Sequence, residues 1–226
     1  MQRTATQRTA TQRTLSVALV IWAIALAARS TPAAHPSTQL GVPQAKVEGQ
    51  TPAAGVPQYA ADGTLVRPAD YREWAYLSSG IGMTYGPAQS AASPGNFDNV
   101  FVNRSSYTQF MGSGRWPDKT IFVIEVRKSE DHASIDNGGH TQGPLLFLEA
   151  EVKDSRFPGG WAYFAFGVAP DLAATAAPLP STAACYSCHK ANTAVEQTFV
   201  QFYPTLMDVA RRMGTVRADY DPARKP

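Results

Sequence analysis

Residues 120–127 read TIFVIEVR, and this stretch decides the fold class. Six of its eight residues are β-branched or aromatic, which is typical of a β-strand. Pro117 and Asp118 precede it as turn residues. Side chains alternate along a strand, so Phe122, Ile124 and Val126 form one apolar face, while the opposite face ends in Glu125 and Arg127.

Three further stretches around this strand have the same character. They are residues 97–102 (FDNVFV), 145–152 (LLFLEAEV) and 161–168 (WAYFAFGV). Pro158-Gly159-Gly160 separates the last two closely enough for an antiparallel hairpin. Of the gaps between these strands, only residues 105–111 offer a convincing crossover helix. The sequence therefore predicts a mainly β (α+β) fold with an antiparallel sheet.

Helical patterns lie at the two ends of the predicted domain. Residues 68–74 indicate a short helix start, and a second helix is expected to run from an N-cap at Ser181 or Thr182 to about Ala194. A third is expected over residues 204–213, with proline in the first turn and Gly214 after the last.

The composition limits the classes of protein. The 226 residues are 44% hydrophobic and 10% aromatic, which is enough for a folded core. A net charge of +2 and the absence of any lysine or arginine cluster longer than a pair argue against a nucleic-acid partner. Two cysteines cannot build a disulfide scaffold.

The N-terminus has the pattern of a secretory signal. Three arginines precede an uncharged run from Leu15 to Ala28, which is followed by Arg29. A helix of this length reaches only about 21 Å, short of the roughly 30 Å membrane core, so we expect cleavage and no stable membrane insertion; an uncleaved tether is the alternative. We assign residues 1–28 to the signal peptide, 29–57 to a flexible Pro/Ala-rich linker and 58–220 to the folded domain.

Residues 185–189 read CYSCH, the C-x-x-C-H pattern of covalent haem attachment. Cys185 and Cys188 would add to the two haem vinyl groups, and His189 would ligate the iron. A thioredoxin-like dithiol and a zinc site are the alternatives, but the first expects a βαβ context and the second needs further ligands. Because both cysteines of the chain fall in the pattern, we predict one covalently bound haem c, with His189 as the metal ligand.

Several stretches together resemble the cytochrome P-460 family, which includes the β-type cytochromes c′. They are YREW (71–74), GMTYG (82–86), WPD (116–118), VKD (152–154), PGGWA (158–162), CYSCHK (185–190) and FVQFYP (199–204). The resemblance covers about residues 59–213. It implies a periplasmic, mainly antiparallel β homodimer whose C-terminal helix binds one covalent haem. It further implies that His189 is the proximal ligand and that the opposite side of the iron is open to small nitrogen compounds.

The chain departs from the family at one functional position. Members that oxidise hydroxylamine carry a lysine cross-linked to the haem, and our alignment puts Ile124 there, directly before Glu125. Lys119 and Lys128 would need a different register. We therefore expect no cross-link and an apolar pocket to which Phe122 and Ile124 contribute, which suits a neutral gas such as nitric oxide.

Other side chains leave alternatives open. Glu149 and Glu151 share a strand face and are either proton acceptors at the haem or a solvated or paired face. His132 and His140 lie in a glycine- and aspartate-rich loop that we expect to be exposed; a distal or gating role at the haem is the alternative. The second ring nitrogen of His189 is expected to bond either Glu196 or a backbone carbonyl.

The methionines are expected to pack rather than to ligate iron. Met207 and Met213 lie on the apolar face of the last predicted helix, while Met83 and Met111 lie in glycine- and serine-rich surroundings.

The sequence thus predicts an exported mono-haem cytochrome that binds a small nitrogen ligand. One alternative is a hydroxylamine-oxidising enzyme, so the sequence leaves open whether the protein is an enzyme. The other is an electron carrier with a redox partner protein and methionine as the sixth iron ligand.

Overall fold

The strand predicted over residues 120–127 lies at the centre of the sheet. The computed structural model describes residues 55–85, 95–132 and 134–223. The predicted signal peptide and most of the predicted linker therefore lie outside the described residues. The five-stranded sheet is antiparallel throughout, with β4 (Thr120–Asp131) in the middle. This confirms the mainly β fold with an antiparallel sheet.

The order of the strands in this sheet is β2-β3-β4-β5-β6. The other four are β2 (Ala75–Ile81), β3 (Asn96–Val102), β5 (His140–Lys153) and β6 (Trp161–Val168). The hairpin expected around Pro158–Gly160 is β5–β6. A second, two-stranded sheet pairs β1 (Leu65–Val66) with β7 (Thr175–Ala176).

Strand β2 was not predicted. Its sequence, AYLSSGI, holds two serines and a glycine, and it lies at the edge of the sheet with its side chains partly exposed. An edge strand gains less from burial than a central one, so the alternation of apolar residues that reveals β4 is weak here.

The helices lie where the sequence places them. Helix α1 (Arg104–Ser113) joins the neighbouring strands β3 and β4, and α2 (Ala184–Asn192) carries the C-x-x-C-H motif. Helix α3 (Pro204–Met213) has the predicted bounds and ends at Gly214, whose φ of 64° is the left-handed conformation that glycine favours. The first predicted helix is a single 3-10 turn, Tyr71–Glu73.

The N-cap of α2 differs from the prediction. Ala183, and not Ser181 or Thr182, occupies that position, and no side chain caps the helix. None of the helices in the described ranges is long and apolar enough to cross a membrane.

The two faces of the sheet pack against separate hydrophobic clusters. Phe122 on one face of β4 joins a cluster with Phe110, Trp116 and residues of α3. Ile121 and Val123 on the other face join a cluster with residues of β5 and β6. Burial of both faces is the reason that residues 121–126 of β4 are mostly apolar.

Glu125 is a charged residue within the apolar part of β4, and it is 3% exposed. Arg127 Nε lies 2.5 Å from Glu125 Oε1, and Arg72 Nη2 lies 2.6 Å from Oε2. Burial raises the pKa of this carboxyl. Hydrogen bonds from Arg127 and Tyr71 and the positive charges of Arg127 and Arg72 lower the pKa by more than burial raises it, so the net shift is downward. Glu125 therefore ties Tyr71 and Arg72 to the face of β4 opposite Ile124.

Candidate functional site

A cavity of about 810 Å³ lies between helix α2 and the face of the sheet that carries Ile124. Its size falls within the range of small-molecule and cofactor sites in proteins. One wall comes from α2 and the segment that follows it, and another from strands β2 to β5.

The three residues of the C-x-x-C-H motif meet at this cavity. Cys185, Cys188 and His189 occupy positions i, i+3 and i+4 of α2, which share one helix face. All three line the cavity, and both thiols are free and partly buried. One helical turn thus presents two sulfur nucleophiles and one imidazole to a single space.

The imidazole of His189 is held on several sides. Its Nδ1 lies 2.7 Å from the backbone carbonyl oxygen of Gln197. A carbonyl only accepts hydrogen bonds, so Nδ1 carries the proton and Nε2 is left as the nitrogen that can ligate a metal. The rings of Tyr163 and Phe199 pack against the imidazole, each with centroids 4.6 Å away.

Of the two expected partners of His189, the backbone carbonyl is the one observed. Glu196 instead pairs with Lys153, whose Nζ lies 2.6 Å from Glu196 Oε2. The partner is therefore a main-chain atom, which a side-chain substitution cannot remove.

Glu151 approaches the same ring nitrogen. Its Oε1 lies 3.3 Å from His189 Nδ1, yet this buried oxygen makes no hydrogen bond within the described residues. Burial lowers the pKa of His189, but the negative charge of Glu151 and the hydrogen bond to the Gln197 carbonyl are among the interactions that raise it more, so the pKa lies above the ordinary histidine value. The proximity indicates that the imidazole is electron-rich.

The sheet wall of the cavity combines apolar and acidic side chains. Ile124 pairs across the strands with Val100 and Glu149, and Val126 pairs with Asp98 and Phe147. All six line the cavity. Burial raises the pKa of both Asp98 and Glu149. The expected apolar face of β4 therefore does border the cavity at Ile124 and Val126, and the neighbouring strands add two carboxyls to the same wall.

Of the two β4 residues predicted to contact the haem, one lines the cavity and the other does not. Ile124 lines the cavity. Phe122 is 2% exposed and packs against Trp116, with ring centroids 4.8 Å apart, and it is not among the lining residues. The strand leaves the cavity between these positions, because α3 and its cluster cover the sheet next to Phe122.

The lysines considered for a haem cross-link lie elsewhere. Lys119 Nζ lies 2.5 Å from Asp154 Oδ1, and Lys128 is exposed. Among the described residues that line the cavity there is no lysine.

Met83 is the methionine among the described residues that line the cavity. Its sulfur accepts a hydrogen bond from the Tyr85 hydroxyl at 3.6 Å. Met83 also covers Gly80 so closely that a Cβ there would lie 2.1 Å from the sulfur. Met207 is buried in the cluster around α3, as its helical position predicts, whereas Met213 is 46% exposed and does not pack as expected.

The remaining candidate histidines are on the surface. His132 and His140 are exposed, and His140 Nδ1 lies 2.5 Å from Asp131 Oδ1. Neither is among the lining residues of the cavity, and both are exposed as expected, but His140 is the first residue of β5 and not part of a loop.

Several lining residues were missed from the sequence. In FDNVFV, Asp98 lies on the same strand face as Val100. A polar residue on an otherwise apolar face was the sign in the sequence that Asp98 could belong to a site. Tyr85 lies in the GMTYG stretch and had no chemical pattern to mark it.

The donor set fits a covalently attached haem. Two free thiols and an imidazole with Nε2 available face one cavity, and the buried Glu151 oxygen without a hydrogen bond lies beside the ring that would carry the iron. No group of three or more His, Cys, Asp or Glu suited to a bare metal ion occurs in the part of the chain that the structure describes, so the zinc alternative gains no support.

Comparison with known families gives a match that covers most of the sheet and the C-x-x-C-H motif. The family model described as cytochrome P-460 matches residues 68–200, more than half of the 226 residues. The matched range includes the C-x-x-C-H motif and the sheet wall of the cavity. No curated protein sequence matches the chain.

Proposed function

Because the chain belongs to the cytochrome P-460 family and is thus a haem-binding cytochrome, we propose that it is an exported mono-haem c-type cytochrome that binds nitric oxide or a similar small nitrogen ligand. The single observation that carries this proposal is the convergence of Cys185, Cys188 and His189 on one cavity. When bound, the haem supplies an iron that takes small ligands and changes its oxidation state.

The thiols and the imidazole have separate tasks in this proposal. Cys185 and Cys188 anchor the haem through thioether bonds, and His189 Nε2 ligates the iron from one side. The Gln197 carbonyl and the flanking rings of Tyr163 and Phe199 hold the imidazole in one orientation. Covalent attachment of this type takes place outside the bacterial cytoplasm, so we place the mature chain in the periplasm, without a membrane span. The family resemblance supports a homodimer. A partner protein would exchange electrons with the haem.

The surroundings of Met83 favour an open position on the iron over thioether ligation. Its sulfur is engaged by the Tyr85 hydroxyl and is packed over Gly80. Ligation of iron by this sulfur would have to break both contacts.

The cavity wall suits a neutral diatomic ligand. Val100, Ile124, Val126 and Phe147 provide an apolar surface that such a gas meets without losing hydrogen bonds. Asp98 and Glu149 on the same wall disfavour anions whenever either carboxyl is ionised.

Optical titration of the ferrous protein with nitric oxide and with carbon monoxide tests the open site. We expect both gases to change the spectrum, and we expect the Met83→Leu variant to behave like the wild type. A ferric near-infrared sulfur–iron band that disappears in Met83→Leu would contradict the proposal and would identify an electron carrier.

The carboxyls of the wall favour a second candidate, the oxidation of hydroxylamine. That reaction releases protons together with electrons, and Glu149 and Asp98 are acceptors inside the cavity. The lack of a lysine among the described lining residues counts against this candidate, since the resemblance associates it with a lysine cross-link.

If hydroxylamine is oxidised with an artificial electron acceptor, Glu149→Gln is expected to slow turnover about 100-fold, as the loss of a general base does. Burial raises the pKa of Glu149, so the wild-type rate should increase with pH as this carboxyl loses its proton, and the variant should lack that increase. Glu130→Gln, which alters an exposed carboxyl on β4, is the control. Equal rates in all three proteins would exclude Glu149 as the base.

A further inference from the structure

The carboxylate of Glu151 occupies an unusual position for a charged group. The residue is 5% exposed and lies on β5, opposite Phe122 of β4 and Tyr163 of β6. Its Oε1 forms no hydrogen bond within the described residues, although it lies 3.3 Å from His189 Nδ1. No lysine or arginine in the described ranges forms an ion pair with Glu151.

A buried carboxylate oxygen without a partner is unfavourable by itself. Removing such a group from water costs several kcal/mol unless a hydrogen bond or an opposite charge compensates for it. The neighbouring Tyr163 and Cys185 do not supply that charge, because a phenol and a thiol are neutral when protonated and negative when ionised. Among the described residues, the imidazole of His189 is the group beside Glu151 that can become more positive.

Metal ligation at Nε2 supplies that compensation. It withdraws electrons from the imidazole and makes the Nδ1 proton more acidic, so a second acceptor beside Nδ1 becomes favourable. The Gln197 carbonyl already accepts from Nδ1 at 2.7 Å, and Glu151 lies on the same nitrogen at 3.3 Å. A carboxylate is the stronger acceptor of the two because it is charged.

We propose that Glu151 is a positioning residue that shares the Nδ1 proton of the iron-bound His189 with the Gln197 carbonyl and so strengthens electron donation from the imidazole to the iron. The inference rests on the proposed role of His189 as the proximal ligand. Its consequence is a stronger iron–histidine bond and a lower reduction potential than the carbonyl alone would give.

Glu151→Gln tests this inference, because it removes the charge and preserves the shape. We expect a lower iron–histidine stretching frequency in the resonance Raman spectrum of the ferrous protein. We also expect a reduction potential raised by about 59 mV, which corresponds to a tenfold change in a one-electron equilibrium. Glu130→Gln is the control, since it removes a carboxylate charge from an exposed position on β4 that does not line the cavity. It should leave the stretching frequency unchanged.

A variant that retains the charge separates tuning from mere structural support. Glu151→Asp keeps the carboxylate but withdraws it by one methylene, so it should give a shift in the same direction and smaller than that of Glu151→Gln. It also serves as the test if Glu151→Gln does not mature. A wild-type protein without an iron–histidine band would overturn the proposed function. A wild-type band that stays unchanged in Glu151→Gln, with haem bound, would overturn this inference alone.

Discussion

Replacing His189 with alanine is expected to leave the haem covalently attached and to abolish the iron–histidine bond completely. Cys185 and Cys188 form the thioether bonds and the imidazole ligates the iron, so this variant should keep covalent attachment and lose ligation. The measurement is the resonance Raman and absorption spectrum of the ferrous protein, in which the iron–histidine band should be missing.

Two additions make the His189→Ala result specific. Imidazole added to the solution should restore a nitrogen-ligated spectrum, because the cavity left by the side chain is open to a ligand of the same shape. His140→Ala is the matched control, since His140 is exposed and pairs with Asp131 at the surface. An iron–histidine band that persists in His189→Ala would assign the ligand to another residue.

The second large effect is expected from replacing both cysteines with serine. The double variant Cys185→Ser/Cys188→Ser should contain no covalently bound haem, because serine hydroxyls do not add to vinyl groups under the conditions in which thiols do. The measurement is haem staining after denaturing electrophoresis, and each single variant should retain one thioether or fail to mature.

Ser187→Ala is the control for the cysteine variants. Ser187 lies between the two cysteines, is exposed, and donates a hydrogen bond to the carbonyl oxygen of Ala184 at 3.0 Å. It should carry the same amount of haem as the wild type. Covalent haem that survives the double cysteine replacement would refute the assignment of the motif.

The parts of the fold that sequence analysis predicts well are those whose burial is periodic. Helix α3 alternates buried and exposed residues with a helical period between a proline and a glycine, and its bounds agree with the prediction. Strand β4 is equally clear because both of its faces are covered. Strand β2 could not be found this way, because partial exposure at the edge of a sheet leaves no strong apolar pattern.

The candidate site likewise has a part that the sequence predicts and a part that it does not. Cys185, Cys188 and His189 are adjacent in the chain, so their chemistry is visible in five letters. Asp98 and Glu149 meet Ile124 only through strand register, and Glu151 reaches His189 across a helix–sheet contact. Such long-range pairings depend on register and packing, which local patterns do not specify. Phe122 illustrates the converse, since it shares strand parity with Ile124 but is covered by a different cluster.

The most direct test of the account is the intact mass of the wild-type protein matured in a periplasm, measured after denaturation. The account predicts a mature chain, shortened by its signal peptide, that carries the mass of one unmodified haem. A mass equal to that of the polypeptide alone would contradict covalent attachment through Cys185 and Cys188, and with it the central claim.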